Sequence, residues 1–131
     1  MKQNEYKKEL TMNLKGSLAG TAVLVSLVII TAAILLNYSL PNSLYLPLLM
    51  LCCAVSGFVS GYTGTRKYRK KGLKNGLVSA AVPATVLIAA IAVAENSLTV
   101  FDIIPIALLI CFGATGGIAA VNIKRSNKKK R

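Results

Sequence analysis

The residue types most able to do chemistry in this 131-residue chain are three cysteines, four acids and sixteen cations, with no histidine among them. Cys52, Cys53 and Cys111 lie within apolar stretches. Without histidine they lack the usual partners of a zinc site, so they read as small buried hydrophobes. Leu49–Cys52 is superficially like a lipidation box, but Leu51 stands where a small residue is needed. Glu95 and Asp102 flank a short polar gap as solvated boundary residues. No paired carboxylates, Ser/His/Asp set or phosphate-cradling loop is present, and Gly57-Phe-Val-Ser-Gly61 is a helix-packing spacing rather than a nucleotide loop. The expectation is a non-enzymatic protein with no cofactor and no metal.

The cations carry more information than the nucleophiles. They fall in three clusters: Lys2, Lys7, Lys8 and Lys15; then Arg66, Lys67, Arg69, Lys70, Lys71 and Lys74; then Lys124, Arg125, Lys128, Lys129, Lys130 and Arg131. Between them lie four apolar runs, residues 17–36, 46–63, 77–94 and 101–122, separated on the other side by segments without any basic residue. In a soluble chain a net charge of +12 would suggest nucleic acid. Here 54% hydrophobic composition leaves no polar face on any run, and runs of 18 to 22 residues at about 1.5 Å each span a hydrocarbon core of roughly 30 Å. The expected partner is therefore the lipid bilayer, not nucleic acid, and the fold class is all-α: a polytopic membrane four-helix bundle forming a single domain over residues 1–131.

Charge that alternates with spans in this way sets orientation. Moving the six cations of the central loop outward would oppose the membrane potential by roughly 14 kcal/mol per 100 mV. Both termini and the basic loop, residues 64–75, are expected to be cytoplasmic, in a bacterial plasma membrane. The first run is too long for a signal-peptide core and no small-residue cleavage site follows it. The chain also reads as two tandem helical hairpins: Leu14-Lys15-Gly16 recurs as Leu73-Lys74-Asn75-Gly76, Pro47-Leu48-Leu49 as Pro105-Ile106-Ala107, and Gly57/Gly61 roughly as Gly117/Val121. Even-span copies insert in the same orientation, which makes a parallel repeat about an axis along the membrane normal, although a basic-apolar rhythm alone produces part of this likeness.

Small residues cluster toward the basic side. Gly16/Gly20, Gly57/Gly61, Gly72/Gly76 and Gly113/Gly117 are each four apart, on one helix face, a spacing that lets backbones approach closely where lipid removes the hydrophobic drive. Ser56, Ser60 and Ser79 can add interhelical hydrogen bonds. Val23–Leu36 and Val86–Val93 are bulky and aliphatic, so the bundle should be tight at its basic end and looser at the other. Pro83, one turn into its run, removes a backbone hydrogen bond and should bend the helix.

The stretch Val55–Gly64, then Arg66–Lys71 and Gly72–Gly76 reads as a glycine-bearing helix end, a basic loop and a Gly-x-x-x-Gly opening of the third span. With Lys71-Gly72-Leu73-Lys74-Asn75-Gly76 it resembles a family of small four-span membrane proteins from Gram-positive bacteria catalogued as a domain of unknown function. The resemblance covers nearly the whole chain. It implies a plasma-membrane location and brings no activity and no catalytic residues.

No Asp, Glu, Lys, Arg or His occupies a span interior, whereas ion-coupled carriers keep such groups at mid-membrane depth. Small multidrug exporters, also four-span, depend on a glutamate that the first run lacks. The expected function is a lipid- or protein-interacting membrane component. In it Arg66, Lys67, Arg69, Lys70 and Lys71 either only set topology, the plainer reading, or also contact anionic lipid headgroups or an acidic partner. The alternatives are an oligomeric channel or permease lined by Thr21, Ser26, Ser56 and Ser60, and a holin with the basic tail Lys124–Arg131. A homo-oligomer or a second membrane protein as partner fits each.

Overall fold

A computed structural model describes residues 2–66, 71–97 and 99–123, apart from the side chains of Asn42 and Glu95. Four helices follow one another: α1 (Lys2–Tyr38), α2 (Tyr45–Thr65) after a 3₁₀ turn at Asn42–Leu44, α3 (Gly72–Glu95) and α4 (Val100–Asn122). All four are long and apolar enough to cross a membrane, and the chain is an all-α four-helix bundle. The helix ends follow local chemistry. Asn96, at φ 56, is a residue type that tolerates the left-handed conformation closing a helix. Thr99 opens α4 with a reciprocal capping box to Asp102, which satisfies two otherwise orphan amides.

Two bounds differ from those expected from hydropathy. The helix of the first span begins 15 residues before Ser17, at Lys2. No Gly or Pro interrupts the chain before Gly16, and helix propensity does not stop where hydrophobicity does. At 37 residues α1 is about 55 Å long, so it extends well past a bilayer core. The basic loop is also shorter than residues 64–75, because α2 continues to Thr65 and α3 starts at Gly72.

α2 packs most extensively on α4, α1 on α2 and α3 on α4, with lesser contact of α3 with α1 and α2; among the described residues α1 and α4 do not meet. Burial recurs at 60-residue spacing in the pairs Gly16/Gly76, Gly20/Ala80, Leu24/Ala84, Cys53/Gly113, Ser56/Gly116, Gly57/Gly117 and Ser60/Ala120, which marks two like hairpins. A two-fold axis between them would make α1 meet α4 as α2 meets α3. The hairpins instead lie side by side, α1 along α3 and α2 along α4.

Candidate functional site: a polar, glycine-packed joint at the basic end

Each of the eight glycines singled out by spacing lies against another helix. A Cβ built on Gly16 would meet the Gly64 backbone, and one on Gly20 would meet Ser60. Gly57 faces the Leu109 carbonyl, and Gly61 the carbonyl of Gly113. Gly72 and Gly76 face the carbonyls of Gly117 and Gly113, at 2.6 and 2.5 Å from the added carbon; Gly113 faces Ala80 and Gly117 the Gly72 carbonyl. Gly116 and Gly64 join the set, against Phe58 and Ser79. Backbone therefore meets backbone at the α1·α2, α2·α4 and α3·α4 crossings, where dispersion between close main chains replaces the hydrophobic effect.

Polar side chains complete the joint. Among the described residues the buried polar ones are Asn13, Ser17, Ser56, Ser60, Thr65, Asn75 and Ser79, which lie toward the basic ends of their helices except Ser56 at the middle of α2. Ser56 donates to the Gly20 carbonyl at 2.9 Å, tying α2 to α1. Ser60 donates to the Ser79 carbonyl at 2.7 Å, tying α2 to α3. That second bond has a cause in the sequence. Ser79 lies four residues before Pro83, which has no N–H to give it, and a carbonyl freed by proline inside a membrane helix needs a substitute donor. Ser60 supplies it. α3 accordingly runs through Pro83 as one helix, with the proline near its middle rather than one turn from its start. The Ser79 hydroxyl in turn donates to Asn13 Oδ1 at 3.5 Å, so α1, α2 and α3 are linked at one level. The Thr65 hydroxyl is fully buried there and has no hydrogen-bond partner among the described residues. Hydroxyls and amides placed in this way can hold helices in register.

Of the cations proposed for headgroup contact, Arg66 and Lys71 are exposed at this same end. The Arg66 guanidinium sits 5.9 Å from the centre of the Tyr62 ring, and Phe58 stacks on Tyr62 one turn earlier. Lys71 is held at φ 52, immediately before Gly72 opens α3. Lys67, Arg69 and Lys70 lie outside the described residues, as does the tail Lys124–Arg131. The four residues expected to line a conduit are not brought together. Ser56 and Ser60 are buried and bonded to neighbouring helices. Thr21 and Ser26 bond the carbonyls of their own helix, and Ser26 is exposed on the outside of the bundle. Cys52 and Cys53 are buried, but Cys111 is exposed, contrary to the expectation for all three.

Spacing alone did not single out Asn13, Thr65, Asn75 or the Thr99/Asp102 pair. The signals were present: Asn75, Ser79, Pro83 and Leu87 recur every fourth residue as one buried stripe, Asn13 continues the stripe of Ser17, Gly20 and Leu24, and Thr-x-x-Asp before an apolar run is a capping-box pattern.

The opposite end is open. There a cavity of about 580 Å3 lies between the four helices, bounded by Leu24 and Val28 of α1, Leu49 of α2, Leu87 and Ile91 of α3 and Asp102 of α4. A protein-family model described as "Protein of unknown function (DUF3792)" matches residues 9–120 of this chain. No curated protein and no solved structure matches it.

Proposed function

The chain belongs to the DUF3792 family of unknown function, and on that premise we propose that it is a non-catalytic, lipid-engaging component of the bacterial plasma membrane. Both termini and the loop after Thr65 face the cytoplasm, since every cation of the chain lies at that end and cytoplasmic loops carry the basic excess. The observation that carries this reading is the division of the bundle. Exposed Arg66, Lys71 and Lys74 stand on a joint closed by glycine and serine, while the other end opens into an apolar cavity. A tight frame displaying cations suits anionic headgroups, each worth about 1 kcal/mol per cation near the surface. No span holds an Asp, Glu, Lys, Arg or His at mid-depth, the groups on which ion-coupled transport or acid–base catalysis commonly runs.

Two measurements test it. Neutralising Arg66, Lys67, Arg69, Lys70 and Lys71 together should lower several-fold the ratio of anionic to zwitterionic phospholipid that copurifies in mild detergent. A correctly inserted variant with an unchanged ratio ends the headgroup reading. Thiol labelling of Ser39→Cys and Ser97→Cys in a background lacking the native cysteines should occur from outside the cell only. Labelling from the cytosol would invert the orientation.

A further inference from the structure

The cavity remote from the cations has a size of about 580 Å3, within the roughly 300–1,000 Å3 of sites that hold small molecules. It reaches from Leu24 and Leu87 near the middle of the bundle to Ala94 and Asp102 at its end. The rise from Leu87 to Ala94 alone is about 10 Å. Its walls are apolar apart from Asp102, Thr99 and the Tyr45 hydroxyl at the mouth, where Phe101 also lies. An elongated apolar slot with polar groups gathered at one end matches an amphiphile lying with its chain inward.

The mouth sets the headgroup. Asp102 Oδ2 accepts the Thr99 N–H at 2.8 Å; its other oxygen takes no hydrogen bond from any described residue. No Lys or Arg occurs between Gly16 and Thr65 or between Asn75 and Ile123, so the chain has no cation to set against this carboxylate. Anionic headgroups would be repelled. A quaternary ammonium would be attracted but has no N–H to donate, whereas a primary ammonium offers both charge and donors, the stronger pairing.

We propose that this cavity takes one acyl chain of a bilayer phospholipid whose headgroup carries a primary ammonium, with the ammonium at Asp102. This rests on the lipid-engaging reading above and adds a second site at the opposite end, of opposite headgroup preference. α1 and α3 part around the chain, which fills space that the bulky side chains of Val25, Ile29 and Val86 leave open.

Native mass spectrometry of the full-length protein tests this, after exposure to equal amounts of chain-matched phosphatidylethanolamine, phosphatidylcholine and phosphatidylglycerol. The wild type should retain phosphatidylethanolamine above phosphatidylcholine, which carries the same net charge, while phosphatidylglycerol reports the basic end. Asp102→Asn should lower that retention about tenfold, to the level of phosphatidylcholine. An asparagine oxygen still accepts the Thr99 N–H, so α4 keeps its start. Ala90→Trp, which fills the cavity from α3, should abolish retention of every zwitterionic lipid while the protein elutes and melts as before. Equal retention of phosphatidylethanolamine and phosphatidylcholine by the wild type, no change in Asp102→Asn, or no change in Ala90→Trp would each overturn the proposal. Those failures are separable from failure of the broader reading, because phosphatidylglycerol selectivity set by the basic loop responds to neither variant.

Discussion

At the basic end a Cβ added to Gly61 would land on the Gly113 carbonyl oxygen, whereas at the far end the same four helices leave a half-open cavity of about 580 Å3. The two halves share their helices and differ in side chains. Gly, Ser and Asn fill one; Val, Ile and Leu line the other. In water the aliphatic half would be expected to collapse most tightly. In lipid it has no such drive, because the acyl chains are as apolar as leucine, and helices join where small residues let backbones touch and hydroxyls find carbonyls. The tight half is therefore the one with less hydrophobic surface.

Substitutions can break that contrast. Gly61→Val forces bulk onto the α4 backbone and should have the largest effect, a loss of about 3 kcal/mol or more, read as unfolding in mixed micelles at lower denaturing detergent. Next comes Ser60→Ala, which leaves the Ser79 carbonyl with neither its helical amide nor its substitute and should cost about 1 kcal/mol. In a Pro83→Ala background the helical N–H returns and the same Ser60→Ala change should cost measurably less. A double-mutant cycle gives the difference, and strict additivity would show that the proline is not why the serine is there. Lys71→Gly relieves a left-handed backbone at φ 52 and should stabilise by up to about 1 kcal/mol. Smallest of all is Ala94→Leu, which adds as many carbons as Gly61→Val but beside the cavity; its melting should stay within about 0.5 kcal/mol of the wild type. If it matched Gly61→Val, the two ends would be packed alike and the contrast would fail.

Much of the joint was legible beforehand and its wiring was not. The four-residue spacing of Gly16/Gly20 or Gly72/Gly76 announces a close face, because a helix brings such positions together without help from the rest of the chain. It does not announce the partner: Gly57 and Gly61 meet α4, while Ser56 and Ser60 on an adjoining face meet α1 and α3. Asn13 precedes the expected span of residues 17–36 because hydropathy falls before Ser17, although the helix and its buried stripe continue. Asp102, expected as a solvated boundary acid, also caps α4 by accepting the Thr99 N–H in an exposed bond.

Hydropathy and spacing add up residue by residue along a chain, so the four apolar helices and their small-residue faces were legible in the sequence itself. Which helices touch, where Ser60 sends its hydrogen, and that the hairpins lie side by side with a cavity at one end depend on shapes that meet only after folding. Those contacts join residues from 19 to 66 positions apart, such as Ser60 with Ser79 and Asn13 with Ser79, and no local pattern in either segment encodes the other's contour.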